Sequence, residues 1–306
     1  MTITPHNFAV SLYAPLRAGG PKIWACNLAR ELEKNGVGAA VKDTLRDYFR
    51  EPLDRFIVHS SLPFVSRPRS RKYVLTIHGD FRSEANPWGK FYPLAIRRAT
   101  VTTVPNNFLK ETLGLGAACV VENGIERPTF IKQDFRLGTL PRLGLLSNFN
   151  FRQKAEGILE LARIARNISF RGQVVIGGDG KLFTEYVGKA KEIFPETVFL
   201  GFVPKEEFFE QIDIFCYYSQ QDVQPIALLD AMASGLPVLT NGVGGIPEIV
   251  PAELLANNHR TYGEKLEQLL AAPASRIANS ELARKAAAPF FFDRVVQKWI
   301  SIYQNV

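Results

Sequence analysis

Two aspartates, Asp222 and Asp230, stand eight residues apart in a segment that reads as a loop followed by a short helix. Pro225 suits the first turn of a helix, where its missing N–H costs nothing, and Gly235 suits the left-handed position after a helix end. A helix is therefore predicted over residues 225–234, and its N-terminus would favour an anion. Aspartate has a low helix propensity. Asp230 stands in the apolar run IALLDAMA, and three roles are open to it. It could lie on an exposed polar face, have a structural role in the helix, or form hydrogen bonds in a cleft.

A glycine-rich loop follows the apolar run PVLT at 237–240. Gly242, Gly244 and Gly245 allow neighbouring backbone N–H groups to converge, and such a nest suits a phosphate or a carboxylate. Glycine loops are common in proteins, so this loop gains its interest from the two aspartates before it.

Short apolar runs alternate with helical patterns along the chain, which favours parallel βαβ units over an all-α or all-β fold. Helices are predicted from about Pro21 to Lys34 and from about Gln153 to Arg166. Strands are predicted at 8–13, 56–60, 73–78, 101–104, 119–122, 142–147, 173–178, 197–202, 214–219 and 237–240. In open parallel sheets, ligands bind beyond the carboxyl ends of the strands. Both the aspartates and the glycines follow such strand ends.

The segment 126–142 has no periodicity, two prolines and mixed charge, and is predicted to link two halves. The predicted fold is α/β, with two Rossmann-like lobes facing a central cleft, one at residues 1–136 and one at 137–288. Residues 289–306 are predicted to be a helix that packs as core and could cross back onto the first lobe. Its apolar residues are Val295, Val296, Trp299, Ile302 and Tyr303.

The stretch 219–250 resembles the nucleotide-sugar site of retaining family 4 glycosyltransferases, also called group 1, which have the two-lobed GT-B fold. The family pattern is a Glu, seven residues, a second Glu with Ala-Met-Ala, then Gly-x-Pro-Val and Gly-Gly-x-Pro-Glu. Here it reads Asp222-x7-Asp230-Ala-Met-Ala, then Gly235-Leu-Pro-Val, then Gly244-Gly245-Ile-Pro-Glu. Both glutamates are aspartates, and Gln-Pro replaces the Phe-Gly between them.

Weaker matches follow the family order from about residue 10 to 303. Gly19 and Gly20 stand where the family has a glycine-rich loop near the donor phosphates, and His78 stands where it keeps a histidine near the transferred sugar. Lys154 matches the diphosphate-binding lysine, and Arg152 could replace the family's arginine. The other matches are VENGIE at 121–126, the turn at 177–181 with Gly178, and the base-binding strand end with Phe202 and Val203.

The resemblance implies transfer of a sugar from a UDP- or GDP-linked donor, with retention, to a glycan or lipid-linked saccharide. Lys154, helped by Arg152 and by N–H groups near Gly20 and Gly244, would stabilise the leaving diphosphate. Preorganised donors of this kind contribute ~3–4 kcal/mol each.

In the same resemblance Asp222 would hold sugar hydroxyls, Asp230 ribose hydroxyls, and His78 the sugar near the reacting centre. His78 could instead cap its strand, and Lys154 could be a solvated lysine at a helix start. No Asp-x-Asp pair stands at a strand end, so no obligatory metal is expected.

Composition indicates the general class of protein. The chain has 306 residues, 46% hydrophobic and 22% charged, which indicates a globular protein of about two domains. No apolar run approaches the ~20 residues of a membrane span. Three separated cysteines predict free thiols in a reducing compartment, so a cytoplasmic location is expected, with peripheral contact at the inner membrane face.

Charge is uneven along the chain: residues 1–136 carry 20 Lys and Arg against 12 Asp and Glu, and residues 137–306 carry 17 against 18. The cluster Arg67, Arg69, Arg71 and Lys72 is either a solvated loop or a patch that contacts an anionic membrane.

Other function classes remain as alternatives at this stage. A sugar-nucleotide epimerase or a phosphorylase would share the fold. A basic nucleic-acid-binding protein is disfavoured because no reader module is present, and no nucleic-acid partner is expected. A dinucleotide oxidoreductase is disfavoured because LYAPLRAGG lacks the Gly-x-Gly-x-x-Gly pattern.

Overall fold

The structure, a computed structural model, describes residues 8–14, 20–42, 44, 56–63, 72–83 and 88–306. The chain divides into two compact units: residues 1–126 with 289–306 (unit 1) and residues 127–288 (unit 2). The division falls ten residues before the predicted boundary at 136, because residues 127–136 bond to unit 2. Lys132 N donates to Ser234 O at 2.9 Å, and Arg276 Nε donates to Phe135 O at 2.7 Å.

Unit 1 contains a parallel sheet whose described strands follow the order β2-β1-β3-β4-β5-β6. The strands are β1 Ala9–Tyr13, β2 Gly38–Lys42, β3 Phe56–Ser60, β4 Tyr73–Thr76, β5 Val101–Val104 and β6 Cys119–Val120. Its described helices are α1 Gly20–Lys34, α2 Tyr92–Arg98, α3 Asn107–Thr112 and, from the C-terminal segment, α10 Phe292–Gln304, with 3-10 turns at Gly89–Phe91 and Ala288–Phe290. This is the flavodoxin-like strand order.

Helix α10 completes the core of unit 1. Val295, Val296 and Trp299 are at most 1% exposed and share one apolar cluster with Leu28 and Leu32 of α1. Before it, a backbone bridge fixes the returning chain: Ile125 N donates to Phe290 O at 2.8 Å, and Phe292 N donates to Ile125 O at 2.9 Å.

Unit 2 also contains a parallel sheet, in the order β12-β11-β10-β7-β8-β9. The strands are β7 Arg142–Leu146, β8 Gln173–Gly177, β9 Thr197–Gly201, β10 Ile214–Tyr217, β11 Val238–Asn241 and β12 Leu255–Ala256. The helices are α4 Arg152–Asn167, α5 Phe183–Ile193, α6 Lys205–Glu210, α7 Ile226–Ala233, α8 His259–Ala271 and α9 Pro273–Ala287, with 3-10 turns at Ile246–Glu248 and Ala252–Leu254. This is the Rossmann order, in which the chain reverses direction across the sheet between β7 and β10.

The strand sequences explain the parallel sheets. Residues Val174, Val175 and Ile176 of β8 are all fully buried, as expected for a strand covered by helices on both faces. The predicted α/β fold class, with a doubly wound parallel sheet in each half, is confirmed. Among the described residues, no helix combines the length and the apolar character needed to cross a membrane.

Candidate functional site

The candidate site lies at the carboxyl edge of the unit 2 sheet, where the chain leaves β7, β10 and β11. The gap between the connections of β7 and β10 is the topological switch point, which in doubly wound sheets forms a ligand crevice. The predicted site residues Lys154, Asp222, Gly244 and Gly245 all follow one of these three strands.

Helix α4 reaches this edge through an unusually close backbone contact. A Cβ on Gly157 would lie 1.8 Å from Tyr218 O, so only glycine lets α4 pack this closely on the end of β10. At the start of the helix, Gln220 N donates to Gln153 O at 3.1 Å. These contacts place the first turn of α4, with Lys154, beside the loop that carries Asp222.

Lys154 and Asp222 form an ion pair, with Nζ 2.8 Å from Oδ2. The Asp222 side chain is 7% exposed and that of Lys154 is 33% exposed, so the carboxylate is buried while the ammonium lies on its open side. The buried Tyr217 hydroxyl donates a hydrogen bond to the same oxygen, Oδ2. Burial, followed by the charge of Asp222, holds the pKa of Tyr217 well above its ordinary value, so the hydroxyl stays protonated.

The glycine loop supports the backbone of Asp222. Gly245 N donates to Asp222 O at 3.1 Å. Gly244 has φ +61°, and a Cβ there would lie 2.0 Å from Asp222 O. The N–H of Gly245 is therefore committed to the protein, and part of the predicted anion nest has a structural role.

Asn241 holds the loop after β10 from the neighbouring strand end. Its Oδ1 accepts from Ser219 N at 3.1 Å, and its Nδ2 donates to Ser219 O at 2.6 Å. The connections of β7, β10 and β11 are thus tied together by backbone and side-chain hydrogen bonds.

Asp230 lies on α7, a helix that spans Ile226–Ala233 where 225–234 was predicted. It is 8% exposed, and its Oδ1 lies 2.9 Å from Lys205 Nζ, at the first position of α6. The polar role expected for Asp230 thus includes an ion pair, and Lys205 adds a second cation to this edge of the sheet.

Four further predicted residues lie in unit 2. Gly178 has φ +125°, and a Cβ there would lie 1.9 Å from Ser147 O, beside the end of β7. Phe202 is 84% exposed, and partly buried Val203 follows it. Arg152 is exposed on α4, and its positive charge acts on Glu185 and Tyr186 of α5. The structure thus does not bring Arg152 together with Lys154, because residues two positions apart on a helix face different directions.

Unit 1 holds the predicted His78, two residues after β4. Its Nδ1 lies 3.1 Å from Asn123 Oδ1, and since an amide oxygen only accepts, Nδ1 carries the proton. Burial lowers the pKa of His78 to about 4, against a smaller opposing effect of the Asn123 hydrogen bond. His78 is therefore neutral at neutral pH, with the edge of Trp24 against its ring at 4.9 Å between centroids.

A second histidine of unit 1, His59, is fully buried. Its ring nitrogens lie 2.6 Å from Tyr303 Oη and 2.6 Å from Thr76 Oγ1. Gly20 is the first residue of α1. Gly19 and the basic residues Arg67, Arg69 and Arg71 lie outside the described residues, while Lys72 is exposed.

Three partners of the predicted site residues were not found from sequence: Tyr217, Lys205 and Asn123. Tyr217 belongs to an apolar strand, where a tyrosine is ordinarily core, and Lys205 is 25 residues from Asp230. Of the three, only Asn123 lies in a segment that the sequence analysis singled out, VENGIE at 121–126. Within the part of the chain that the structure describes, no three His, Cys, Asp or Glu side chains gather as a metal ion would require.

The site can do two things chemically. Lys154 supplies a partly exposed cation at this edge of the sheet, and Asp222 and Asp230 supply buried carboxylates that can accept hydrogen bonds from hydroxyl groups. A ligand with an anionic part and hydroxyl groups satisfies both.

Comparison with known proteins agrees with this geometry. Residues 141–272 match the family profile described as Glycosyl transferases group 1. The putative glycosyltransferase EpsF of Bacillus subtilis (strain 168) is 26% identical over 167 residues, which cover 54% of this chain and 42% of EpsF. The match thus spans less than half the length of that relative.

Two solved structures share the fold over nearly the whole chain. Sucrose-phosphate synthase from Thermosynechococcus elongatus is similar with a TM-score of 0.73 at 15% identity, covering 97% of this chain and 98% of that one. Anabaena HepE, solved in complex with UDP-glucose, has a TM-score of 0.74 at 12% identity, covering 97% of this chain and all of that one. These likenesses confirm the GT-B fold predicted from the sequence.

Proposed function

Since residues 141–272 belong to the group 1 glycosyl transferases, we propose that this protein transfers a sugar, with retention, from a nucleoside diphosphate sugar to a glycan or lipid-linked saccharide. The observation that carries the proposal is the Lys154–Asp222 pair at the switch point of unit 2. It sets a cation for a diphosphate next to a carboxylate for sugar hydroxyls.

In the proposed reaction the bond between the anomeric carbon and the diphosphate oxygen breaks, and negative charge grows on the diphosphate. Lys154 stabilises that charge, which is a transition-state contribution. The acceptor oxygen bonds to the anomeric carbon from the face that the diphosphate leaves, and the proton of the acceptor hydroxyl passes to the departing phosphate oxygen. Retention follows without a protein nucleophile.

The other predicted residues have supporting roles in this proposal. Asp222 holds hydroxyls of the sugar, and Asp230, fixed by Lys205, holds the ribose hydroxyls. Phe202 and Val203, beyond the end of β9, contact the base. His78 of unit 1 contacts the sugar as a neutral imidazole, because its pKa is lowered to about 4.

Calorimetric titration with UDP and GDP tests the donor site. At least one nucleotide binds the protein, and Lys154→Ala weakens that binding about tenfold or more, the usual loss for a charged hydrogen bond. Lys132→Ala is the matched control, because Lys132 also pairs with an aspartate, Asp213 at 3.6 Å. That pair precedes β10, at the opposite edge of the same sheet. If neither nucleotide binds, or if both variants lose binding equally, the donor site is wrong.

Two further parts of the proposal concern metal and membrane. Transfer proceeds without a metal cofactor, so turnover persists in a chelator; loss of turnover that magnesium or manganese restores contradicts this. The protein is cytoplasmic and contacts anionic membranes through the basic excess of residues 1–136. Cosedimentation with anionic rather than neutral vesicles, reversed by salt, tests that contact. Equal sedimentation with both vesicle types contradicts it.

A further inference from the structure

One carboxylate oxygen in the site has two partners. Asp222 Oδ2 receives the Tyr217 hydroxyl from the buried side and faces Lys154 Nζ at 2.8 Å on the open side. A buried carboxylate with no partner is costly, and one charged hydrogen bond removes much of that cost. Tyr217 is 4% exposed and Asp222 is 8% exposed, so water is a poor substitute for either partner.

The ion pair also neutralises the positive charge of Lys154, which would otherwise attract a diphosphate. Lys154 and Asp222 together are neutral, and an approaching diphosphate competes with Asp222 for the same ammonium group. The Lys154 side chain, at 33% exposed, has access to solvent and can turn outward. The aspartate cannot follow it, because Gly245 N–H and the close packing of Gly244 fix its backbone.

We propose that diphosphate binding draws Lys154 away from Asp222, and that Tyr217 is the positioning residue that then holds the Asp222 carboxylate in place. The Tyr217 hydroxyl contributes more to the nucleotide-bound state than to the free state, because in the bound state it is the partner that remains. The Asp222 carboxylate stays oriented towards the sugar while Lys154 binds the phosphate. This inference rests on the proposed function, since it requires Lys154 to bind a diphosphate.

Nucleotide affinity separates this role from a structural one. A hydroxyl that matters equally in the free and bound states changes stability but not affinity, since both states lose the same energy. The proposal instead expects Tyr217→Phe to weaken UDP or GDP binding about tenfold. In the Asp222→Asn background, where no buried charge needs a partner, the same substitution leaves affinity unchanged.

The experiment is a double-mutant cycle of Tyr217→Phe and Asp222→Asn, read by calorimetry with the nucleotide that the wild-type protein binds. Tyr186→Phe is the matched control, because Tyr186 is another buried tyrosine of unit 2 whose hydroxyl donates to a carboxylate, Glu156. It should melt at a lower temperature and keep wild-type affinity. Asp213→Asn is the matched control for Asp222→Asn, since Asp213 pairs with Lys132.

Should Tyr217→Phe fail to fold, Asp222→Asn alone still tests the competition, and it should bind the nucleotide more tightly than the wild-type protein does. Three results overturn the inference: unchanged affinity in Tyr217→Phe, an equal loss in both backgrounds, or weaker binding in Asp222→Asn. If the wild-type protein binds no nucleoside diphosphate, the proposed function fails and this inference fails with it. If it binds and the cycle shows no coupling, only this inference fails.

Discussion

Replacing Gly244 by alanine tests the support of Asp222 most directly. Gly244 has φ +61°, where an L-residue pays roughly 1–2 kcal/mol. Its new Cβ would lie 2.0 Å from Asp222 O, so the two backbone segments must separate. Separation breaks the 3.1 Å hydrogen bond from Gly245 N to Asp222 O, which contributes about 0.5–1.5 kcal/mol. The expected loss in free energy of unfolding is therefore about 1.5–3.5 kcal/mol.

Gly201→Ala provides the comparison for stability. Gly201 also lies in unit 2 with φ +68°, but a Cβ there meets nothing within 4 Å. It should lose only the conformational term of about 1–2 kcal/mol. Urea unfolding of wild type and both variants, with the midpoints compared at equal slope, gives the two differences.

The glycine variants should also differ in their affinity for the nucleotide. Because the Gly244→Ala loop displaces the backbone N–H groups near Gly244 that are predicted to bind the diphosphate, nucleotide binding in calorimetry should fall about tenfold or more. Gly114→Ala, a left-handed glycine of unit 1 with open space around it, should bind as wild type. Equal destabilisation of Gly244→Ala and Gly201→Ala, with nucleotide binding intact in both, would show that the contact with Asp222 does not hold the site.

Three more outcomes follow from the structure. The pKa of His78 is about 4 and burial holds that of His59 well below 6.5. The unfolded chain therefore binds more protons, and stability is lost as pH falls from about 6.5 towards 4, by up to ~1.4 kcal/mol per pH unit per histidine. Urea midpoints should show a shallower pH slope in His78→Gln than in the wild-type protein. Asp230→Asn should weaken nucleotide binding in calorimetry while Asp222→Asn does not, with Asp222→Asn acting on sugar transfer; equal losses mean that the two roles are misassigned. Gly157→Ala should push α4 off Tyr218 O and lower both the thermal midpoint and nucleotide affinity; a variant with wild-type values for both would show that this close contact is dispensable.

Much of the fold could be predicted because the sheets are buried on both faces and their strands are continuous apolar runs. Helix α1 was predicted from Pro21 and begins at Gly20, and α4 was predicted at 153–166 and spans Arg152–Asn167. Strand β2 was missed, because GAAVK is short, rich in glycine and alanine, and only partly buried. Such a strand forms through its pairing with β1, which single-sequence patterns do not record.

The candidate site was predictable where a motif is local in sequence and not where the contact is tertiary. Asp222, Asp230 and the glycines share the single stretch 219–250, so their spacing alone indicated a common strand edge. Lys205 and Tyr217 acquire their roles from side-chain directions that depend on how α6, α7 and β10 pack. The two compact units divide at residue 126 rather than at the predicted 136, since residues 127–136 look like a linker in sequence and bond to unit 2.

The return of α10 to unit 1 sets an order of assembly during synthesis. The core that surrounds Leu28 and Leu32 also contains Val296 and Trp299, which follow the whole of unit 2 in the chain. At ribosomal rates of 5–20 residues per second, roughly 10–30 s pass between the end of residue 126 and the start of α10. Unit 2 is continuous in sequence and can fold as soon as it leaves the ribosome. The half of the protein that is translated first therefore completes its folding second, and during that interval its apolar surface depends on chaperones or on the remaining chain for cover.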